Sequence, residues 1–260
     1  MVDFIVNWEV ESYRAKVSLA SGAEKKLNGK IAIVTGSAQG FGAGIAEYLA
    51  SEGAAVVIAD MNYDGARATA ERIAEEYKTP ALAVSANVSD EDSVREMIER
   101  TVLTFGGLDV FVNNAGIVRA GSLEDMTKKN FELVASVNYT AYFLCAKYSS
   151  AVMKKQREIS PEYMADIIEI NSKSGLSGSN KNFAYAGSKF GLTQSFALEL
   201  APYGIKVNAV CPGNFLDGPL WSDPEKGLFV QYLKAGKVPG AKTVADVRAF
   251  YEAKVPLGRG

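Results

Sequence analysis

The sequence predicts an α/β fold with a doubly wound parallel sheet and helices on both faces, and three observations predict it. Short β-branched runs alternate with longer amphipathic stretches from Lys30 onward. The apolar runs at Ile31–Val34 and Ala55–Ile58 lack polar alternation, the pattern of strands buried on both faces. The residues with chemical character fall just after the strands, where such sheets bind ligands.

Ile31–Val34 forms the first strand, followed by the Gly-rich stretch Gly36–Gly44 and a helix through Glu52. Ala55–Ile58 is the second strand, ending at Asp60; Asn62–Tyr77 is a helix and Ala81–Ala86 a third strand. Asp90 caps a helix to about Phe105, because an aspartate before an amphipathic run accepts the free N–H groups of the first turn. Leu108–Val112 is a fourth strand, and Thr127 to about Lys155 reads as one long helix. Asp166–Ile170 is a fifth strand, Asn182–Tyr203 a helix, and Ile205–Val210 a sixth strand. Two regions fall outside this alternation. Residues 1–28 form an extension, with a helix around Ser12–Ala20, and the dinucleotide-binding and catalytic domain spans 29–260. Within it, residues 214–255 form a long excursion with helical pieces at Pro224–Ala235 and Thr243–Lys254, expected to act as a substrate lid.

Composition excludes whole classes of function. The chain has no histidine, so Ser-His-Asp and Cys-His nucleophilic chemistry and His-based zinc sites are closed to it. Two cysteines, Cys145 and Cys211, cannot build a Cys₄ metal site; they are expected to be buried thiols, and no metal is expected. Twenty-eight basic residues against thirty acidic ones leave no electrostatic footprint for nucleic acid or an anionic membrane. Asp3 and Glu9 stand where a signal peptide would carry positive charge, and the apolar run Ala54–Ala59 is far too short to span a bilayer, so a cytoplasmic protein is expected.

The first strand runs into Thr35-Gly-Ser-Ala-Gln-Gly-Phe-Gly42. Glycines there permit a tight turn and close approach of a pyrophosphate to a helix N-terminus. Asp60, ending the second strand, is placed to accept hydrogen bonds from an adenosine ribose, and its charge opposes a 2′-phosphate, which favours NAD over NADP. No Arg or Lys stands at Ser37, Ala38 or Met61 to reverse that preference. Asn113-Asn-Ala-Gly116 follows the fourth strand; it suits backbone approach to a ribose or an ordinary turn equally well. Tyr185-Ala-Gly-Ser-Lys189 puts a phenol and an ammonium on one predicted helical face. A phenol has a pKa of about 10 and needs a neighbouring positive charge to act as a base near neutrality. In a histidine-free chain this pair is the best candidate for proton transfer, with Ser172 placed to polarise a substrate oxygen.

The ordered set Thr35-Gly-x-x-x-Gly40-x-Gly42, Asp60, Asn113-Asn-Ala-Gly116, Asn138, Ser172, Tyr185-x-x-x-Lys189 and Pro212-Gly213 resembles the short-chain dehydrogenase/reductase family in its shorter form, from residue 29 to about 213. The resemblance implies a Rossmann-like fold and a nicotinamide cofactor, NAD, whose chemistry the protein positions and polarises. It implies that Tyr185 exchanges the alcohol proton, that Lys189 lowers the Tyr185 pKa and holds the nicotinamide ribose, that Ser172 fixes the substrate oxygen, and that Asn138 supports a water-linked proton path. Gly36, Ser37, Gly40, Phe41 and Gly42 would cradle the pyrophosphate. Asp60 would meet the adenosine ribose, Asn87 and Val88 the adenine, Met61, Asn114, Ala115 and Gly116 the cofactor, and Pro212 and Gly213 the nicotinamide. A homodimer or homotetramer is implied, with the helices around Asn130–Lys155 and Asn182–Tyr203 pairing across an interface.

Three departures from the family pattern stand out. Asn87-Val88 replaces the usual Asp-Val, the stretch from Met153 to Ser172 is longer than usual, and the chain ends at Pro256–Gly260, where the family continues into another helix and a final strand; a chain lacking that strand is expected. The segment from Gly213 through Tyr232 resembles the sorbitol-6-phosphate 2-dehydrogenase branch, implying a polyol or sugar phosphate such as the sorbitol 6-phosphate/fructose 6-phosphate pair. Trp221, Phe229 and Tyr232 could close over such a ligand or simply bury the lid, and Asn214, Asp217 and Ser222 could bond its hydroxyls. Lys173, Lys181 with Asn182, and Arg119 are candidate phosphate partners or solvated loop charges. Two other functions stay open: a ketoreductase of another substrate class, and an NADH-binding sensor without turnover.

Overall fold

All five residues of Ile31–Thr35 (β1) are buried, as an uninterrupted apolar run at the middle of a sheet requires. The computed structural model describes residues 25–255, so the predicted Ser12–Ala20 helix and the segment Pro256–Gly260 lie outside the described residues. β1 pairs in parallel with Ala55–Asp60 (β2) on one side, with Ile31 opposite Ala55, and with Val110–Asn113 (β4) on the other, with Ala32 opposite Val110. Ala81–Ser85 (β3) extends the sheet beyond β2, and Ala165–Ile170 (β5) and Ile205–Val210 (β6) extend it beyond β4. The order is β3-β2-β1-β4-β5-β6 and every pairing is parallel. The direction of winding reverses between β1 and β4, the arrangement that opens a ligand crevice beside the central strand. Asp109, fully buried, fixes the start of β1 by accepting the Ile31 N–H at 2.9 Å.

The helices begin where the sequence supplies caps. Asn62 accepts the Gly65 N–H ahead of Tyr63–Tyr77 (α2), and Asp90 accepts the Ser93 N–H ahead of Glu91–Phe105 (α3). Gly40–Ser51 (α1) lays Ala46 and Ala50 with α2's Ala66, Ala70 and Ile73 against Ala32 and Val34 of β1. The pleat turns Ile31 and Ile33 to the other face, where they are equally buried.

Three predicted helices are corrected. The stretch from Thr127 to Lys155 is not one regular helix: Lys128–Ala135 (α4) passes through a π-helical turn, Ser136–Thr140, into Ala141–Ile159 (α5). The stretch Asn182–Tyr203 is split into Phe183–Gly187 (α7) and Thr193–Leu200 (α8), with Phe190 between them at φ 83° and a 3₁₀ turn at Ala201–Tyr203. Gly187, Ser188 and Gly191 explain the break, being poor helix formers clustered at one point. Lys173–Ser177 (α6) precedes this region. The predicted helix Pro224–Ala235 shortens to Leu228–Lys234 (α10), preceded by Pro219–Ser222 (α9), and Val244–Glu252 (α11) starts at a Thr243–Asp246 capping box.

The described residues form two compact units. The first holds residues up to Ala115, Thr140–Ile170 and Leu192–Val210, and so the whole sheet. The second holds Gly116–Tyr139, Asn171–Gly191 and the residues from Cys211 on. Its core is aromatic: Trp221, Phe229 and Tyr232 are buried, and the Trp221 ring lies 5.1 Å from Phe229, 5.6 Å from Tyr232 and 4.8 Å from Tyr251. Cys145 and Cys211 are both free thiols, and burial pushes Cys145 up to about 12. Among the described residues no helix is long and apolar enough to cross a membrane.

Candidate active site

In the first unit the turn after β1 is built by hydrogen bonds that its sequence supplies. Gly36 and Gly40 both take φ +63°, the left-handed region that favours glycine. Gly42 is required for another reason: a Cβ there would stand 2.2 Å from the Gly36 carbonyl oxygen and 2.6 Å from Asn114 Nδ2. Asn114 donates that amide to the carbonyls of Thr35 at 2.8 Å and Gly36 at 3.0 Å. Thr35 Oγ1 in turn accepts the N–H groups of Asn114 and Ala115, each at 3.1 Å. Asn114 and Ala115 thus brace the turn from β4.

Ser37 does not offer its side chain to a ligand. It is fully buried, donates its hydroxyl to the Val34 carbonyl at 2.6 Å and accepts the Ala59 N–H at 3.1 Å, tying β1 to β2. Asp60 accepts the N–H of Ala38 at 3.0 Å and of Asn62 at 2.9 Å, one on each carboxylate oxygen, which leaves further lone pairs on both. Met61 and Phe41 are exposed, Val88 is buried, and Asn87 Oδ1 accepts the N–H and the hydroxyl of Ser89. The N-terminus of α1 has neither a side-chain cap from Gln39 nor an acidic residue in its first turn. Its N–H groups and dipole therefore suit an anion.

In the second unit the π-helical turn presents Asn138, which is wholly buried. Its carboxamide accepts the Ile117 N–H at 2.8 Å and donates to the Ile117 carbonyl at 2.9 Å and to Ser188 Oγ at 3.1 Å. These bonds join the chain just after Gly116 to the turn that carries Lys189. Replacing Asn138 by Ala orphans both Ile117 groups, and we expect a loss of about 2–3 kcal/mol in urea unfolding.

Ser172 caps α6, its Oγ accepting the Ser174 N–H at 3.2 Å and keeping its own proton to donate. Tyr185 lies within α7, its ring packed against the aromatic core. Lys189 lies past the end of that helix, so the predicted shared helical face is corrected. The turn nonetheless keeps the pair together, with Lys189 Nζ 5.9 Å from the centroid of the Tyr185 ring. Lys189 is 5% exposed. Gly175 makes room for it, since a Cβ there would stand 2.9 Å from Lys189 Cβ. Sequence reading missed Gly175, whose signal was only a glycine three residues after Ser172.

The other candidates separate. Trp221, one candidate for the substrate, is buried, with its ring packed on those of Phe229 and Tyr251. Lys181 Nζ donates to the carbonyls of Ala235 at 2.7 Å and Gly236 at 3.2 Å, closing the C-terminal end of α10. Asn182 is buried and donates to the Tyr232 hydroxyl at 3.1 Å, while its Oδ1 has no partner among the described residues. Asn214 Nδ2 is likewise buried without a partner there. Lys173, Gly116 and Gly213 are exposed, Pro212 is half-buried, and Arg119 donates to the Val118 carbonyl. Among the described residues no His, Cys, Asp or Glu group could hold a metal ion.

Comparison with known proteins supplies the family. The model of the short chain dehydrogenase family matches residues 30–223. The chain is 37% identical to sorbitol-6-phosphate 2-dehydrogenase of Escherichia coli over 236 residues, covering 89% of this chain and 86% of that protein. It is 36% identical to 3-oxoacyl-[acyl-carrier-protein] reductase FabG of Aquifex aeolicus, covering 87% and 91%. Among solved structures, sorbitol-6-phosphate 2-dehydrogenase SrlD from Erwinia amylovora superposes with a TM-score of 0.79 at 36% identity, covering 88% of this chain and 86% of that one. The parallel sheet, the glycine turn braced by Asn114 and the Tyr185–Lys189 pair are thus accounted for together: the chain belongs to the short-chain dehydrogenase/reductase family, oxidoreductases acting on CH–OH groups with a nicotinamide cofactor.

Proposed function

We propose that this chain interconverts a secondary alcohol and a ketone with NAD, on a polyol or sugar phosphate such as sorbitol 6-phosphate and fructose 6-phosphate. The observation that carries this reading is the buried Lys189 ammonium 5.9 Å from the Tyr185 ring, in a chain with no histidine. When bound, the nicotinamide supplies the two-electron exchange that no side chain here provides. Ser172 donates to the substrate oxygen, Tyr185 takes the alcohol proton, or returns it in the reductive direction, and Lys189 supplies the positive charge that stabilises the phenolate. Asn138 holds the turn of Lys189 through Ser188.

The first unit supports a dinucleotide by its residues: an α1 N-terminus without a side-chain cap for the pyrophosphate, and Asp60 at the end of β2 for the adenosine ribose. The negative charge of Asp60 disfavours a 2′-phosphate, so NAD is the expected coenzyme. Replacing Asp60 by Ala is expected to lower the NAD⁺ over NADP⁺ preference in kcat/KM by about tenfold or more, and an unchanged ratio would remove Asp60 from coenzyme choice.

Residues 214–255 serve as the substrate lid on this reading, and the chain assembles as a homodimer or homotetramer. Phe143 and Leu198, exposed on α5 and α8, support assembly. A second reading, reduction of an acyl-carrier-protein thioester ketone, is favoured by the 36% identity to the FabG protein. Initial rates with NAD⁺ on sorbitol, mannitol and their 6-phosphates, and with NADH and NADPH on a 3-oxoacyl thioester, decide between them. Polyol-phosphate oxidation with NAD⁺ is the expected result; turnover of the thioester alone would transfer the assignment to the second reading.

A further inference from the structure

Lys237 follows α10 as a half-buried ammonium with no carboxylate partner among the described residues. Its Nζ donates to Ser179 Oγ at 2.9 Å and stands 4.1 Å over the Tyr232 ring. A second cation is close: Lys254 Nζ stands 4.0 Å over the Phe250 ring and 5.4 Å from the centroid of Tyr251, whose ring is 5.6 Å from that of Tyr232. The two ammonium groups therefore rest on adjoining rings of one aromatic wall. Burial, and then the Lys254 charge, push Lys237 down to about 8. Keeping the Lys237 charge partly out of water, with a like charge beside it, is costly unless an anion joins them.

The same wall leads to the catalytic tyrosine. Tyr232 belongs to the core against which Tyr185 packs, and its hydroxyl is held by Asn182, three residues before Tyr185. Ser179 accepts from Lys237, so its own hydroxyl proton is left to donate. Two ammonium donors and one hydroxyl match the charge and the oxygens of a phosphate monoester, which carries between one and two negative charges near neutrality.

We propose that Lys237, Lys254 and Ser179 form an anion subsite that takes the phosphate of a phosphorylated substrate, a reading that rests on the alcohol oxidation assigned above to Tyr185. It places the phosphate-binding role on Lys237 and Lys254 in place of Lys173 and Lys181.

Calorimetric titration of inorganic phosphate into the full chain tests the subsite without turnover. One saturable site is expected, weakened about tenfold by Lys254→Met and by Lys237→Met and lost in the double variant, while Lys237→Arg keeps it. Lys254 is exposed, so its variant isolates the charge should Lys237→Met disturb folding. With sorbitol 6-phosphate, Lys237→Met should lower kcat/KM about thirtyfold, chiefly through KM. Equal phosphate binding by wild type and double variant, or no saturable binding at all, would overturn the proposal. Phosphate binding that depends on both lysines, with no polyol oxidised, would refute the polyol reading and leave the anion subsite standing.

Discussion

Replacing Tyr185 with Phe should lower kcat about a thousandfold on whichever alcohol the enzyme oxidises, within the range for loss of a positioned acid–base group. The ring survives the change, so its packing against the second unit's aromatic core survives as well. Melting temperature and circular dichroism should therefore match the parent, which separates a chemical defect from a folding one. The alternatives for proton transfer are few. No histidine exists, Tyr232 is buried with its pKa driven up mainly by that burial, and Tyr251 is pushed to about 12 for the same reason. A residual rate within tenfold of the parent would remove Tyr185 from the acid–base role.

The second large effect is on stability, and it comes as a pair of opposite sign on one helix. In Gly42→Ala the new methyl must enter space held by the Gly36 carbonyl at 2.2 Å, Asn114 Nδ2 at 2.6 Å and Ser37 Cα at 2.8 Å. Two of these three are backbone, so the turn itself must move, and we expect a loss of about 3 kcal/mol. Two residues on, Gly44→Ala meets nothing within 4 Å. There the helix gains from lost glycine entropy, by about 0.5–1 kcal/mol. Urea unfolding of both variants would show it, and two neutral results would contradict the close packing of the turn.

The strands were legible because parallel strands buried on both faces leave nothing but apolar residues in a short run, as Ile31–Thr35 and Ala55–Asp60 show. Caps were legible for a local reason, since Asp90 bonds a group three residues away. The π-helical turn was not, because it is stabilised by Asn138 reaching Ile117, twenty-one residues earlier, and Ser188, fifty residues later. The break after α7 had a local sign in Gly187, Ser188 and Gly191, which a single periodic pattern over Asn182–Tyr203 concealed. The candidate catalytic set was chosen for its spacing, a property of the chain. The cations were harder, because Lys181 was chosen for nearness in sequence to Tyr185, whereas folding turns it to the carbonyls of Ala235 and Gly236. Lys237 comes onto the Tyr232 ring only through the fold of residues that no local pattern connects to Ser179.

The two backbone bonds of Asp60 bear on any attempt to re-engineer coenzyme preference. The usual tactic is to delete the acid and install a cation. Here, deletion also releases Ala38 in the glycine turn and Asn62 at the head of α2, so any change in coenzyme preference would come with a loss of rigidity at both places. Asp60→Asn would keep only one of these bonds, because its amide nitrogen donates and would face the other N–H. A better starting point keeps Asp60 and installs the cation next door at Met61, which is 71% exposed.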